Sequence, residues 1–455
     1  MLSLWPPTLV DSLEGKIYDS FLRSAPRHAA PGPITIVDLD EASLERLGQW
    51  PWPRYRIAHL LDRIREDGAA AVGLDMVFAE PDRMSLEPLS VEILRDLGIR
   101  IDLAGFPGEA LDTDRAFAAA LARGPFVLGY QFDFETERGN ACVLQPFRAA
   151  VLSGGGTGEA DGLYDARGVV CNLPALSKAA GASGFINATP DPDGVLRRVP
   201  LVIRHKGVLY PNLAVALYQR ARGGDAVIET GPEGVTGLLL GGRRIPLDRH
   251  GNMMVNFRGP RRTFPHLSAA AVLDGTADKA RMNGRIVLLG TTATGLMDIR
   301  TTPLERVQPG VEIQANLLDN LLSGDPIAEP LSARVARVLL VLVPGFLLAG
   351  LLARSSAAWG LALILPTAAG IWLGSWGLLA YRQVFLPPLL PVVTLTVVFT
   401  VLTSMRFLRA DRQVRERTRK LALTQDAIIQ SLAALTETRH HETGGHIQRT
   451  RHYIR

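Results

Sequence analysis

Residues 34–78 read ITIVDLDEASLERLGQWPWPRYRIAHLLDRIREDGAAAVGLDMVF, and they contain a strand, a helix and a second strand. Residues 34–40 and 70–78 are apolar runs of strand length. Between them, residues 56–67 have the apolar spacing of an amphipathic helix, with one side formed by Ala58, Leu60, Leu61 and Ile64. The order strand, helix, strand predicts an α/β domain.

The same alternation continues to about residue 325. We predict further helices at 114–123, 211–222 and 311–322, and further strands at 125–133, 184–187, 195–204 and 285–290. Pro211 is placed in the first turn of its helix, and Gly324 ends the last one. Gly241-Gly242 closes a predicted hairpin, so some antiparallel pairing is expected in the middle of the domain.

Residues 338–405 differ from the rest of the chain because they contain only two charged side chains, Arg354 and Arg382. These arginines divide the segment into apolar runs at 338–353, 355–381 and 383–405. Runs of this length can cross a bilayer as helices, and membrane helices tolerate internal prolines. We therefore predict an all-α segment of three transmembrane helices over residues 335–405.

Basic residues set the predicted orientation of these helices. Residues 406–420 hold seven Lys and Arg side chains and share their side of the membrane with Arg354. The opposite side carries Arg334, Arg337 and Arg382. Because positive charge marks the cytoplasmic side, we predict a multi-pass protein of the inner (plasma) membrane with residues 1–330 in the periplasm or outside the cell.

An outer domain of this kind needs a signal peptide or an N-terminal crossing. Residues 1–24 are interrupted by Asp11, Glu14, Lys16 and Asp19 and contain no apolar core of the required length. We therefore expect residues 1–33 to be a membrane-proximal segment whose preceding membrane helix is missing from this sequence.

The composition of the chain argues against two classes of protein, nucleic-acid-binding proteins and disulfide-rich scaffolds. The chain has 455 residues with 49 Lys and Arg against 45 Asp and Glu, a net charge of +4. Such a small excess argues against a nucleic-acid partner. The two cysteines, Cys142 and Cys171, exclude a disulfide-dense scaffold. They form either one disulfide in an oxidising compartment or two small buried apolar side chains, and spacing does not decide between these.

Polar residues at the ends of the predicted strands are the candidate ligand-binding residues. In an open α/β sheet, ligands bind in the crevice beyond the carboxyl ends of the strands. Alternatively, such residues cap the following helices or pair with Arg54 and Arg300. The candidates for a small extracellular ligand are Asp38, Asp40, Asp75, Glu80, Thr291, Thr292 and Asp298.

Six segments together resemble the type-two CHASE extracellular sensor domain over about residues 10–330. The resemblance implies a sensor domain at 34–330, with one membrane helix before it and three after it, and it transfers no binding residue. The segments are ITIVDLDEASLERLGQWPWPR (34–54), GAAAVGLDMVFAEPDR (68–83), DPDGVLRRVPL (191–201), VNFRG (255–259), GRIVLLGTTATGLMDIRTTP (284–303) and PGVEIQANLLDNLLSG (309–324).

Residues 406–436 are predicted to form a signalling helix on the cytoplasmic side. Its apolar residues at spacings of three, four and seven would lie on one stripe. The stripe suits a homodimer through this helix, or alternatively packing against the next domain. Its members are Leu421, Ile428, Ile429, Leu432 and Leu435.

Residues 437–455 begin a further domain. SLAALTETRHHETGGHIQRT (431–450) resembles the start of an HD-GYP domain, whose family hydrolyses cyclic di-GMP at a two- or three-metal centre. The resemblance places Glu442 and His446 at the family's first metal-ligand positions, and the other ligands would lie beyond Arg455. We therefore expect this chain by itself to be no enzyme and to hold no cofactor. The intact output domain is expected to hold divalent metals such as Fe or Mn.

These features predict a bacterial transmembrane signal receptor whose output is a cyclic di-GMP phosphodiesterase. Two alternatives remain open. The same sensor could control a histidine kinase or a nucleotide cyclase, or the protein could be a non-catalytic membrane protein that binds envelope material.

Overall fold

The computed structural model describes residues 8–26, 32–137, 142–153, 162–232, 234–296, 298–329, 331–354 and 357–437. The chain divides into two compact units. The first comprises Met1–Val335 and Gly374–Pro387, and the second comprises Ala336–Leu373 and Pro388–Arg455.

Helices and strands alternate through most of the first unit. The helices are α1 Thr8–Ser24, α2 Glu41–Leu47, α3 Arg54–Glu66, α4 Leu86–Leu97, α5 Gly108–Leu111, α6 Thr113–Ala122, α7 Pro174–Ala180, α8 Leu213–Arg222, α9 Ala269–Leu273, α10 Gly310–Ser323, α11 Leu331–Arg354, α12 Ala357–Arg382 and α13 Leu389–Glu437. The strands are β1 Ile34–Leu39, β2 Ala71–Leu74, β3 Phe126–Asp133, β4 Ala149–Ser153, β5 Asp165–Ala166, β6 Gly168–Val170, β7 Ser183–Phe185, β8 Arg198–Pro200, β9 Val202–His205, β10 Val208–Pro211, β11 Ala226–Gly231, β12 Gly234–Leu240, β13 Arg243–Pro246, β14 Asn252–Met254, β15 His266–Ser268, β16 Ile286–Thr291, β17 Ile299–Arg300 and β18 Gln308–Pro309.

A mainly parallel sheet forms the centre of the first unit, as the apolar strand segments predict. Its order is β15-β1-β16-β2-β3-β6, with β7 also paired to β3. All these pairings are parallel except β3 with β6. Strands β1 and β2 are buried along their whole length because helices cover both faces of the sheet. The predicted α/β class is confirmed for this part of the chain.

The helices after neighbouring strands pack on opposite faces of this sheet. One core contains side chains of α3, α6, α7 and α9, and the other contains side chains of α8 and α10. The connection after β16 leads to α10 on one face, whereas those after β1 and β2 lead to helices on the other. The strand order therefore reverses on both sides of β16, which is where an α/β sheet opens a crevice.

Two local predictions were wrong in detail. The predicted strand at 195–204 is two strands, because β8 pairs with β14 and β9 pairs with β10 and β5. The predicted helix at 211–222 begins at Leu213. Pro211 belongs to β10, and the side chain of Asn212 caps the helix by accepting a hydrogen bond from the Ala214 N–H (2.9 Å).

Cys142 and Cys171 form a disulfide, with their Cα atoms 5.9 Å apart. Of the two alternatives that the sequence leaves open, the structure has the bonded pair. The bond lies in an aromatic-rich cluster that includes Phe132 and Phe185.

Side chains of helix α10 hold the VNFRG segment (255–259), which is not paired to a strand along this stretch. The backbone of Asn256 exchanges two hydrogen bonds with the Asn320 side chain (2.8 and 3.0 Å). The Arg258 N–H donates to the Asn316 side chain (2.9 Å). The buried Arg258 guanidinium pairs with Asp319 and Asp325 (2.5 and 2.6 Å). These contacts explain why a helix that is buried along most of its length carries polar residues.

The C-terminal helices agree in part with the predicted membrane segment. Among the described residues, two helical segments are long and apolar enough to cross a membrane, Ala362–Arg382 and Leu389–Leu435. Helix α11 contributes the shorter apolar stretch Val338–Leu347, so a third crossing stays a prediction. Helix α13 runs without interruption from Leu389 to Glu437 and thereby joins the last apolar run to the predicted signalling helix.

Candidate functional site

The expected crevice lies beyond the carboxyl ends of β1, β16 and β2, which are Leu39, Thr291 and Leu74. The register places Leu39 beside Thr291, and the Thr291 hydroxyl donates to the Leu39 carbonyl (3.2 Å). Asp75 follows β2 directly, and its N–H donates to the Leu289 carbonyl (2.9 Å). Most of the candidate residues therefore follow neighbouring strands at one edge of the sheet.

Asp38 is buried at the centre of this edge and has several partners. Its carboxylate accepts hydrogen bonds from the N–H and the hydroxyl of Thr292 (3.0 and 2.6 Å). It also contacts Nδ1 of His266, the first residue of β15 (3.1 Å). Asp38 and Thr292 therefore hold the ends of three strands together, which is a positioning role.

His266 connects this group to α10. Its Nε2 lies 3.5 Å from Oε1 of Glu312, whose carboxylate also accepts from the N–H of Arg262 (2.9 Å) and the side chain of Gln308 (2.9 Å). Burial alone would lower the pKa of His266, but the hydrogen bonds and charges of Asp38 and Glu312 raise it to about 9. At neutral pH an imidazolium that is only 10% exposed therefore lies between two carboxylates.

Asp75 is the candidate residue with the most unusual electrostatics. Its Oδ2 lies 3.5 Å from the position that a Cβ on Gly310 would occupy, at the first residue of α10. Burial raises the pKa of Asp75 to about 7, and the charge of Asp298 adds to this shift. Its carboxyl group therefore changes charge near neutral pH, at the start of the helix that leads to the end of the domain.

Three candidates are better described by the alternative of caps and ion pairs. Asp40 caps α2 by accepting from the Ser43 N–H (2.9 Å) and also accepts from the Ser268 hydroxyl (2.8 Å). Asp298 pairs with Arg300 (2.9 Å). Glu80 is exposed, and its carboxylate lies 3.6 Å from Arg83. The contacts of Asp40, Asp298 and Glu80 are thus those of the alternative that the sequence left open, in which strand-end acids cap helices or form ion pairs. A role of these three residues in ligand binding stays a prediction.

Metal ligation finds no support in the described part of the chain, where no three His, Cys, Asp or Glu side chains lie close enough together to hold an ion. The predicted ligands Glu442 and His446 lie outside the described residues.

The sequence patterns missed the partners that complete this crevice, His266 and Glu312. Glu312 had a detectable signal, because it begins a polar stripe at helical spacing on an otherwise apolar helix, followed by Asn316, Asp319 and Asn320. His266 had none, since nothing nearby in sequence indicates two acidic partners.

A second group of contacts lies near Ile327, where the chain leaves the α/β domain. The Ile327 N–H donates to the Met254 carbonyl (3.2 Å), which extends β14. The next residue, Ala328, donates to the Gln383 carbonyl and accepts from the Phe385 N–H (2.7 and 3.0 Å). The link between α12 and α13 is therefore hydrogen-bonded to the edge of the sensor body.

Apolar packing reinforces this junction. Tyr18 of α1 and Phe385 pack edge to face, with ring centroids 5.1 Å apart. Both are buried with Phe21, Met254, Ile327 and Leu379 in one cluster. The cavity beside it has a volume of about 20 Å³, which is room for a water molecule and not for a ligand.

The architecture is that of a mixed α/β domain followed by apolar helices of membrane-spanning length. The family model of the CHASE2 domain matches residues 1–353, and the chain belongs to this family. CHASE2 is a type of extracellular sensor domain. Comparisons with curated proteins and with solved structures find no match. The HD-GYP resemblance at 431–450 lies beyond the matched residues and stays a prediction.

Proposed function

We propose that the protein is a bacterial transmembrane signal receptor whose outer domain passes a signal through three membrane helices to a cytoplasmic output. The observation that carries the proposal is the junction between the sensor body and the segment that links α12 to α13. Hydrogen bonds of Ala328 and the packing of Phe385 against Tyr18 connect the two. Membership of a sensor-domain family supports the same reading.

A route for the signal follows from the elements that meet at this junction. Helix α10 begins beside Asp75 and extends about 21 Å along its axis before the chain reaches Ile327. Helix α1 reaches the junction through Tyr18. A ligand that shifts either helix therefore moves the segment before α13, and α13 continues as one helix to Glu437. Two discrete packings of this junction would form the switch.

The test of this route is a substitution at the junction. Phe385→Ala should change, by several-fold, the rate at which Ile428→Cys forms disulfides between copies, because the junction then packs differently from the native one. The measurement is oxidative crosslinking of the full chain in membranes. The two native cysteines are already bonded and give no background.

Tyr381→Ala is the matched control, because Tyr381 lies in the same link but is exposed. It should leave the rate as it is in the Ile428→Cys background. Equal rates for Phe385→Ala, Tyr381→Ala and the background would contradict transmission through the junction.

The proposed orientation places the sensor domain outside and residues 406–455 in the cytoplasm. Met84→Cys in the exposed part of the sensor should react with an impermeant thiol reagent added to intact cells, whereas Thr424→Cys should react only after the membrane is opened. Met84 is suited to this test because its side chain is exposed, whereas the neighbouring Ser85 is buried and would not react. Labelling of Thr424→Cys from outside would overturn the orientation.

We propose that the cytoplasmic output domain is an HD-GYP phosphodiesterase. The sequence resemblance at residues 431–450 is the only support for this proposal. Glu442 and His446 would then supply the first ligands to divalent Fe or Mn. The reading frame that continues from Arg455 decides the matter. A His-Asp pair followed by a GYP segment supports this output, and kinase or cyclase motifs support the alternative. A stop codon favours the envelope-binding alternative.

A further inference from the structure

Helix α13 changes from apolar to strongly basic within one turn. Residues 389–405 contain no charged side chain, whereas residues 406–420 contain seven Lys and Arg against Asp411 and Glu416. The helix continues without interruption through this change, from Leu389 to Glu437. The first basic side chains therefore lie at a distance from the apolar part that the helix geometry fixes.

The apolar part of α13 matches the thickness of a bilayer core when it extends past the first arginine. Residues 389–405 span about 26 Å along the helix axis, and residues 389–408 span about 30 Å, the thickness of the hydrocarbon core. Phe407 and Leu408, which follow Arg406, are apolar and are 71% and 55% exposed. The core therefore ends near Leu408, and the side chain of Arg406 extends along the helix towards the phosphates.

Arg409 and Arg412 continue this series into the headgroup layer. They follow Arg406 by about 4.5 and 9 Å along the helix axis, and both are exposed. The headgroup layer of one leaflet is about 5–7 Å thick. Because an Arg side chain is long and flexible, all three guanidinium groups can reach the level of the phosphates, Arg406 from the hydrocarbon side and the other two from the layer itself and its outer edge.

The three arginines share a broad face of α13 that the predicted dimer leaves open. A step of three residues turns a helix by about 60°, so Arg406, Arg409 and Arg412 spread over about 120° of its circumference. Phe407 lies on the opposite side, two heptads before Leu421 of the apolar stripe predicted for the dimer. Pairing through that stripe therefore keeps the arginines directed at the surrounding lipid.

Anionic phospholipid is the partner whose chemistry this face fits. A guanidinium group donates paired hydrogen bonds to a phosphate group, which the compact ammonium of Lys does not match. The excess of positive charge at 406–420 favours headgroups with a net negative charge over zwitterionic ones. Headgroups also surround a membrane helix at the depth of the three arginines, whereas a protein partner would have to enter the headgroup layer.

We propose that Arg406, Arg409 and Arg412 bind the phosphates of anionic phospholipids in the leaflet at the basic end of the apolar part of α13. The contact holds α13 at a defined depth in the bilayer. The inference rests on the membrane insertion of α13 in the proposed function, and it goes beyond that function by naming a lipid class and the residues that bind it.

Native mass spectrometry of the full chain from nanodiscs of mixed phosphatidylcholine and phosphatidylglycerol tests the contact, because it counts the lipids that stay bound. The native chain should retain phosphatidylglycerol at several-fold its bulk proportion. The triple variant Arg406→Gln/Arg409→Gln/Arg412→Gln should lower this enrichment by about threefold or more, because it removes the phosphate-binding groups and Gln keeps the helix.

Arg417→Gln/Arg419→Gln/Lys420→Gln is the matched control, because it removes the same charge from exposed positions of the same helix. These positions lie about 17–21 Å beyond Arg406, at least about two Debye lengths at physiological salt. The control should keep the enrichment. Equal loss in the two triple variants, or no enrichment in the native chain, would overturn the proposal and leave a solvated basic face.

Thiol reactivity in nanodiscs gives a second, independent readout, and the bonded native cysteines add no background. With an uncharged, water-soluble reagent, Ala410→Cys should react several-fold more slowly when phosphatidylglycerol is present than in phosphatidylcholine alone, because the bound headgroups cover it. Thr424→Cys should react at the same rate in both. The triple Gln variant at 406, 409 and 412 should remove the difference at Ala410→Cys.

Two further outcomes separate the ways in which the proposal can fail. Inorganic phosphate at constant ionic strength should leave the difference at Ala410→Cys in place, and its loss would show that the arginines bind free phosphate instead of lipid. Val397→Cys in the apolar part should be unreactive in every nanodisc. If it reacts like Thr424→Cys, α13 is not inserted, and the proposed function fails together with this inference. Insertion without any effect of phosphatidylglycerol overturns this inference alone.

Discussion

Arg197→Met should lower the free energy of unfolding of the sensor body by about 3–5 kcal/mol. The Arg197 side chain is only 4% exposed, and its guanidinium donates to the carboxylates of Asp19, Asp191 and Asp193 at 2.7–2.9 Å. Removing it leaves the buried carboxylate of Asp19 on α1 without its partner. The surrounding acids raise the pKa of Arg197 despite its burial, so the Arg197 guanidinium is charged at every relevant pH.

Arg198→Met is the matched control, because it removes the same charge from the next residue. Arg198 is 38% exposed and pairs with Glu329 (3.0 Å), so its loss should cost at most about 1 kcal/mol. Hydrogen exchange of the full chain in detergent measures both, with peptides from α1 expected to open first. Equal protection of α1 in the two variants would show that the Arg197 cluster contributes no more than a surface pair.

The large loss of unfolding free energy expected for Arg197→Met follows from the close packing of α1 against this cluster. A Cβ on Gly15 would lie 3.0 Å from Cζ and 3.2 Å from both terminal nitrogens of Arg197, so the guanidinium lies close against the backbone of α1 at this glycine. A Met side chain has no donors for the three carboxylates, and water has little access to replace them.

Local sequence patterns predicted the central sheet because its strands are continuous apolar runs. Residues 34–40 and 285–290 became β1 and β16 for this reason. Local patterns failed at 195–204, because the break between β8 and β9 depends on which distant strand each half pairs with. Pairing partners are a property of the whole fold and leave no local trace.

The sequence placed Asp38, Asp75 and Thr292 at the ends of neighbouring strands, and the structure has them there. That they bind a ligand stays a prediction. The sequence could not show that the Asp38 carboxylate already has Thr292 and His266 as hydrogen-bond partners, because His266 lies 228 residues away in sequence. The same distance effect hid Asp19 from Arg197. Charge clusters built from remote segments are therefore the part of this site that only a structure supplies.

His266→Gln should lower the stability of the sensor body at neutral pH by about 3 kcal/mol and remove its decline at alkaline pH. In the folded protein, Asp38 and Glu312 raise the pKa of His266 to about 9, whereas an unfolded histidine has its usual value of 6.5. A shift of this size corresponds to about 3 kcal/mol by linkage. Gln supplies a hydrogen bond but no charge, and the two carboxylates then repel each other.

The sign of the pH dependence follows from the direction of the shift. The folded pKa is above the unfolded one, so the contribution of His266 is fully present below about pH 6.5 and is lost as the pH rises through about 9. Pulse proteolysis of the full chain in a urea series, from about pH 6 to about pH 10, should show the native protein losing stability across this window. His266→Gln should be flatter there.

His205→Gln separates a charge effect from the loss of any buried histidine. His205 is buried and the His266 side chain is only 10% exposed, but Nδ1 of His205 contacts the carbonyl of Ala166 (2.7 Å) and not a carboxylate. Its replacement should therefore leave the alkaline decline in place. If His266→Gln keeps the alkaline decline while His205→Gln removes it, the His266 imidazolium between Asp38 and Glu312 is not the group whose titration causes the decline. If both variants keep it, the charge that titrates lies elsewhere in the chain.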